Sequence, residues 1–185
     1  MKRVFIALLL LMVSAAGCQK KDEPQQAAPA PQMPAVALQS NSEITMLQEA
    51  VRKAPSNTGG WIRLGNMLMD AKRFAEAVSA YEKALALDPK NVDVRVDLGT
   101  CFKNAGKPDK AVEEYRKALK TDPNHLNGHR NLGIVLGFDL KRKDEAVKEL
   151  EKSIELAPNA PEVALIRQSI KEIKESALRG PMCFF

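Results

Sequence analysis

Aromatic residues and histidine are scarce in this chain. Its 185 residues hold one Trp, two Tyr, six Phe and two His. Two histidines and three cysteines leave little to build a metal or redox centre from. No Cys-x-x-Cys-His is present, so covalent haem is not implied. There is no His-Glu-x-x-His, no Gly-rich phosphate loop and no Gly-x-Ser-x-Gly elbow. No apolar run reaches the roughly 20 residues that a membrane-spanning helix needs. The net charge of +5 comes with no basic stripe interleaved with aromatics, so nucleic acid is not indicated as a partner. These absences predict a chain with no catalytic residues, no metal, no cofactor and no small-molecule substrate.

The chain does have a period. Leu64-Gly65 returns as Leu98-Gly99 and as Leu132-Gly133. Ala77 returns as Ala111 and Ala146, Tyr81 as Tyr115 and Leu150, Ala84 as Ala118 and Ser153. Asp88-Pro89 returns as Asp122-Pro123 and Ala157-Pro158. The step is about 34 residues, with one extra residue in the third copy between Gly133 and Ala146. A fixed period of that size means a stack of like units rather than one closed core.

Each recurring residue type has a physical reason. A helix-interior Gly costs roughly 1 kcal/mol relative to Ala, so its recurrence asks for a close contact. The small Ala positions serve the same helix–helix approach, and the Tyr positions fill the space between helices. Each Pro ends the second helix, because it lacks an N–H to extend it.

These residues resemble the tetratricopeptide repeat, a helix–turn–helix unit. Trp61, Leu64, Gly65, Ala77, Tyr81, Ala84 and Pro89 match its pattern in the first copy, with Leu68 where the family has Tyr. Arg95 and His129 stand at the Trp position in the second and third copies. The resemblance implies an all-α solenoid of three repeats, at about 58–91, 92–125 and 126–160. Helices are expected at 58–71 with 74–87, 92–105 with 108–121, and 126–139 with 143–156. Residues 43–54 align with a second helix and predict an incomplete repeat capping the start. A last helix at 161–178, apolar at Val163, Ile166, Ile170, Ile173 and Ala177, is the expected terminal cap. Lys141-Arg142-Lys143 reads as a solvated loop, and residues 180–185 as an apolar tail.

The opening differs from all this. Met1-Lys2-Arg3, an apolar run from Val4 to Val13 and Ser14-Ala15-Ala16-Gly17-Cys18 read as a secretory signal peptide over 1–17. Ala15-Ala16-Gly17-Cys18 resembles a bacterial lipobox, with Ala15 where Leu is usual. That resemblance implies acylation of Cys18 and cleavage before it, hence a lipid-anchored, periplasm-facing protein of the bacterial cell envelope. Gln19 after Cys18 resembles the outer-membrane default rather than the inner-membrane one. Cleavage removes Lys2 and Arg3 and lowers the net charge to +3. Residues 18–42 are rich in Pro, Gln and Ala and predict an extended tether.

Two histidines four apart, His125 and His129, would share a helix face as in some metal sites, but no Cys or acidic cluster lies near them in sequence. His129 stands where a packing residue belongs. Cys101 is expected to be buried between paired helices as a small hydrophobe. A Cys101–Cys183 disulfide would need the tail to reach the second unit.

By the resemblance, the first helix of each unit lines a concave groove that binds a protein or peptide. Its candidate residues are Ile62, Arg63, Asn66 and Asp70 in the first unit. They are Asp93, Val96, Asp97, Thr100 and Asn104 in the second, and Asn127, Arg130, Asn131, Ile134 and Phe138 in the third. Their mixed charge suggests a partner carrying both signs. One subclass of the family holds C-terminal carboxylates in a Lys/Asn/Arg clamp. Here only Asn66 fits, with Ile62, Asp97, Asn127 and Asn131 at the other clamp positions, so that clamp is rejected. The family resemblance implies an adaptor for assembly of an envelope complex. Its alternatives are an apocytochrome holdase of the cytochrome c maturation type, a pilus or outer-membrane assembly lipoprotein, or a spacer that oligomerises through its capping helix and tail.

Overall fold

The computed structural model describes residues 35–175, with side chains from residue 41 onward. The signal peptide, Cys18, most of the tether and the tail beyond Glu175 lie outside the described residues.

Among the described residues every regular element is helical. The order is α1 (Ala35–Lys53), α2 (Thr58–Asp70), α3 (Phe74–Leu87), α4 (Val92–Asn104), α5 (Pro108–Thr121), α6 (Leu126–Ile134), α7 (Lys143–Leu156) and α8 (Val163–Glu175). A π-helical turn, Val135–Asp139, continues α6. The units α2–α3, α4–α5 and α6–α7 are antiparallel pairs, each packed on the next, with α1 and α8 at the two ends. The core runs the length of the stack as one cluster from Ile44 to Ile173. No described helix is long and apolar enough to cross a membrane.

The repeated residues act as their chemistry requires. A Cβ on Gly65 would lie 2.5 Å from Tyr81 Cε1, and one on Gly99 would lie 2.6 Å from Tyr115 Cε1. Both rings are fully buried, so each lies flat against helix backbone that only Gly leaves open. In the third unit Leu150 takes the ring's place, with its Cγ 2.7 Å from the Cβ position of Gly133.

The extra residue of the third copy is absorbed by the π-helical turn. Leu140 N–H reaches back five residues to Val135 O at 3.1 Å, the wider closure that an inserted residue produces. The turn places Gly137 against α8, where any Cβ would run into Ile173 Cδ1. Ile173 is 1% exposed, so the cap is plugged into the third unit at that point.

One boundary differs clearly from expectation. The first helix starts at Ala35, not residue 43, so the tether gives way to helix eight residues sooner. Ala35, Ala37, Leu38 and Gln39 are good helix formers, and Pro34 is tolerated at a helix entry. The last helix pair keeps its expected start, with α7 over Lys143–Leu156, so only Lys141 and Arg142 of the Lys-Arg-Lys run lie in the turn.

Each first helix ends in the same way. Arg73 N–H bonds Leu68 O at 2.8 Å and Lys107 N–H bonds Phe102 O at 2.9 Å, closing a left-handed cap. The left-handed residue is Gly106 at φ +73 in the second unit, but Lys72 and Lys141, both at φ +58, in the others. A side chain is disfavoured there. Lys72→Gly and Lys141→Gly are therefore expected to stabilise by about 0.5–1 kcal/mol each, read from urea melts, whereas Gly106→Ala loses a similar amount.

Candidate functional site

The three first helices are fixed by a device that repeats along the chain. Trp61 Nε1 donates to Pro55 O at 2.8 Å. Arg95 Nη2 donates to Pro89 O at 2.9 Å, and His129 Nε2 meets Pro123 O at 2.9 Å. Three different side chains thus hold the carbonyl of the Pro that ends the preceding helix, a group with no helical partner. Their second contacts track the difference. Arg95 pairs with Glu114 at 2.9 Å, and His129 Nδ1 with Glu149 Oε2 at 2.6 Å. Trp61, which needs no anion, faces Ala80 at the equivalent site across the same cleft. Arg95 and Glu114 are mostly buried, so losing one partner is costly while replacing both is not. Arg95→Ala should cost about 2–3 kcal/mol, whereas Arg95→Trp with Glu114→Ala, which copies the first unit, should stay within about 1 kcal/mol of the parent. Denaturant midpoints of the three proteins decide it.

The helix starts follow a second repeated rule. Asn57 and Asn91 accept from the N–H groups of Gly60 and Val94. His125 takes the same place, with Nδ1 accepting from Gly128 N–H at 3.0 Å, so its Nε2 carries the proton and meets Asp93 Oδ1 at 2.9 Å. All four ring nitrogens of His125 and His129 therefore have protein partners. Aligning His125 with Asn57 and Asn91 in the sequence would have revealed the cap.

On the face shared by α2, α4 and α6 the candidate residues divide. Tyr81 Oη donates to Asn66 Oδ1 at 2.7 Å. Thr100 spends its one proton on Val96 O at 3.1 Å. Its oxygen therefore accepts from Tyr115 Oη at 3.1 Å and from Asn131 Nδ2 at 3.4 Å. Ile134 stands at the place of Asn66 and Thr100, opposite Leu150, which has no hydroxyl to satisfy. Asn66 and Thr100 are thus partners of the core tyrosines as well as surface groups.

Val96 does not line this face. It is buried at 4% exposure, because the middle unit is flanked on both sides. Arg63, Asn66, Asp70, Asp93, Asn104, Asn127 and Phe138 are exposed, and Ile62, Asp97, Thr100, Arg130, Asn131 and Ile134 are half-buried. Cys101 is fully buried, as expected, and burial followed by the charge of Asp97 pushes its thiol up to about 12, far from a reactive thiolate. Burial likewise raises the Tyr115 hydroxyl to about 12.

Asp97 is held above the ordinary carboxylate value of 3.8, first by burial and then by Asp93, with His125 acting in the opposite direction. The folded state therefore binds that proton more tightly than the unfolded chain. Ionised Asp97 opposes folding in full above its folded value, and the penalty fades as pH falls from there to 3.8 and is absent below it. Asp97→Asn is expected to melt at a higher temperature than the parent at pH 7, with the gap closing towards pH 3. A gap that widens on acidification would contradict the assignment.

Stacked antiparallel helix pairs, with Gly beneath a bulky buried side chain in each unit and a carbonyl clamp at each junction, define a helical-repeat solenoid. Family models described as tetratricopeptide repeat match residues 68–130 and residues 131–160, together half of the chain. The chain belongs to the tetratricopeptide repeat family.

Solved structures share the fold. MamA aligns with a TM-score of 0.67 and 18% identity over 79% of this chain and 86% of that one. YrrB, described as a tetratricopeptide protein with an unusual peptide-binding site, aligns at 0.63 and 23% identity over 72% and 68%. The Yersinia enterocolitica type III secretion chaperone SycD, in complex with a peptide of the translocator YopD, aligns at 0.59 and 19% identity over 63% and 92%. At these identities the likeness is one of fold. No curated protein sequence matches the chain.

Proposed function

We propose that this chain is a non-catalytic adaptor that binds a protein segment on the face shared by α2, α4 and α6, and that a lipid on Cys18 anchors it, periplasm-facing, in the bacterial envelope to support assembly of a complex there. The observation carrying the binding reading is the half-buried, mixed-charge row of Asp97, Arg130 and Asn131 beside Ile134 and Phe138. Such a row offers hydrogen bonds and apolar contact to an extended or helical segment. Of the solved structures sharing the fold, SycD is described in complex with a peptide and YrrB as having an unusual peptide-binding site. The anchor rests on the sequence Ala15-Ala16-Gly17-Cys18 alone.

Two experiments test the two halves separately. Labelled palmitate should enter the wild-type protein in bacteria and not Cys18→Ser, and labelling of neither protein refutes the anchor. For the groove, Asp97→Lys with Asn131→Glu should lose the proteins that co-purify with the wild type while keeping its circular dichroism. Unchanged recovery refutes binding on that face.

A further inference from the structure

Of the three side chains that hold the carbonyl before each first helix, two are permanent donors. The Trp61 indole and the Arg95 guanidinium keep their protons at any working pH. His129 does not. Its Nε2 faces Pro123 O at 2.9 Å and its Nδ1 faces Glu149 Oε2 at 2.6 Å. A carbonyl and a carboxylate only accept, and a neutral imidazole has one N–H to give. The two contacts together therefore need one proton more than a neutral ring and a carboxylate hold between them. Imidazole is the stronger base, so that proton belongs to Nδ1 and the ring is a cation. One turn earlier, His125 has the opposite requirement. Its Nδ1 accepts from Gly128 N–H to cap α6, which a doubly protonated ring cannot do. Its Nε2–H meets Asp93 in either charge state.

Both imidazoles are mostly buried, and the charges around them are few. His125 has Asp93 and Asp97 of α4 beside it and Asp122 in its own turn. Where Glu82, Lys110, Glu113 and Glu114 line the cleft around Arg95, the third unit has Arg116, Glu145, Lys148 and Glu149. Arg116 and Glu145 are bonded to each other at 2.8 Å. Lys117 shares Glu114 with Arg95, but Lys152 in its place turns to Glu155 at 3.1 Å. Among the described residues His129 is thus the one ion partner of Glu149. We infer that the start of α6, where the third unit meets the second, is a proton-operated latch that His129 closes as a cation and His125 only as a neutral ring. The latch opens from both sides. Loss of a proton by His129 leaves a bare nitrogen against Glu149, so its contribution is present at low pH and fades as pH rises. Gain of a proton by His125 strips Gly128 N–H of its cap, so that contribution is present at high pH and fades as pH falls. The latch does not depend on what the shared face binds.

The chain has two His, so the imidazole nitrogens of the labelled protein give an NMR spectrum of two rings. At about pH 6.5, within the range where imidazole changes charge, His129 should show both nitrogens protonated and His125 a bare Nδ1. His125→Asn, which copies the caps of Asn57 and Asn91, assigns the two. Melting temperatures read the latch itself. His129→Arg copies the clamp of the second unit and keeps its donors at every pH. From about pH 6 to 8.5 the parent should lose roughly 3–6 °C relative to that variant. Glu149→Gln, whose amide can donate to a bare nitrogen, should remove the same loss without touching the ring. From about pH 6.5 down to 5 the parent should lose a similar amount relative to His125→Asn. Two rings that gain protons together, His125 charged before His129, or melting differences that do not change with pH would overturn the latch.

Discussion

Tyr115→Ala is expected to destabilise the protein by about 3–5 kcal/mol, the usual cost of emptying a large aromatic site. The ring is 1% exposed and lies against Gly99, where helix backbone cannot move in to close the hole. Its hydroxyl adds a smaller part. Tyr115→Phe keeps the ring and gives up the bond to Thr100, for about 1 kcal/mol. The site is in the middle unit, and each unit of a stack is stabilised by its neighbours. The alanine variant should therefore also lose cooperativity, with a shallower urea transition as the two ends melt apart. A steep transition within 1 kcal/mol of the parent would mean that the ring is not the keystone of its unit.

Gly99→Val is the second large effect, expected at about 3 kcal/mol. Helix propensity argues the other way, since Val is better than Gly inside a helix by a few tenths of a kcal/mol. Sterics decide it. A Cβ at this position would lie 2.6 and 2.8 Å from two atoms of the Tyr115 ring, and a buried ring cannot bend aside as an aliphatic chain end could. Gly59→Ala is the internal control. Its nearest obstacle is Asn57 Oδ1 at 3.5 Å, an ordinary contact, so that change should stabilise by up to about 1 kcal/mol. Opposite signs for glycines on the first helices of two neighbouring units would separate contact from propensity.

The repeat made most of the architecture readable in advance. Leu-Gly, Ala, Tyr and Pro in step place six paired helices within a residue or two of where they stand, because those types are dictated by contacts made three times over. The extra residue before Ala146 was visible as an insertion, but a count cannot say how the backbone absorbs it. The π-helical turn sets Gly137 against Ile173 of α8, a contact between distant parts of the chain. The Trp position was legible as packing, and its hydrogen-bonding role was not. Trp, Arg and His share little except an N–H aimed at a carbonyl, and that likeness shows only when the Pro six residues earlier is in view.

The candidate face was the least legible part. Spacing places Val96 among its residues, yet the crowding of the middle unit buries it. Asn66 and Thr100 look like free surface groups until the tyrosine hydroxyls beneath them are located. The third unit, with Leu150 and Ile134 together, shows that these pairs change as one. The face proposed for recognition is therefore narrower than the sequence suggests, losing Val96 to the core and sharing Asn66 and Thr100 with the tyrosine hydroxyls.

Site-specific photocrosslinking in living cells tests that reduced face most directly. A photoreactive residue at Asn131 on α6 is compared with one at Lys148, exposed on α7. Binding along the first helices predicts a discrete protein adduct from position 131 and none from 148. The same adducts from both positions, or an adduct from Lys148 alone, would contradict it.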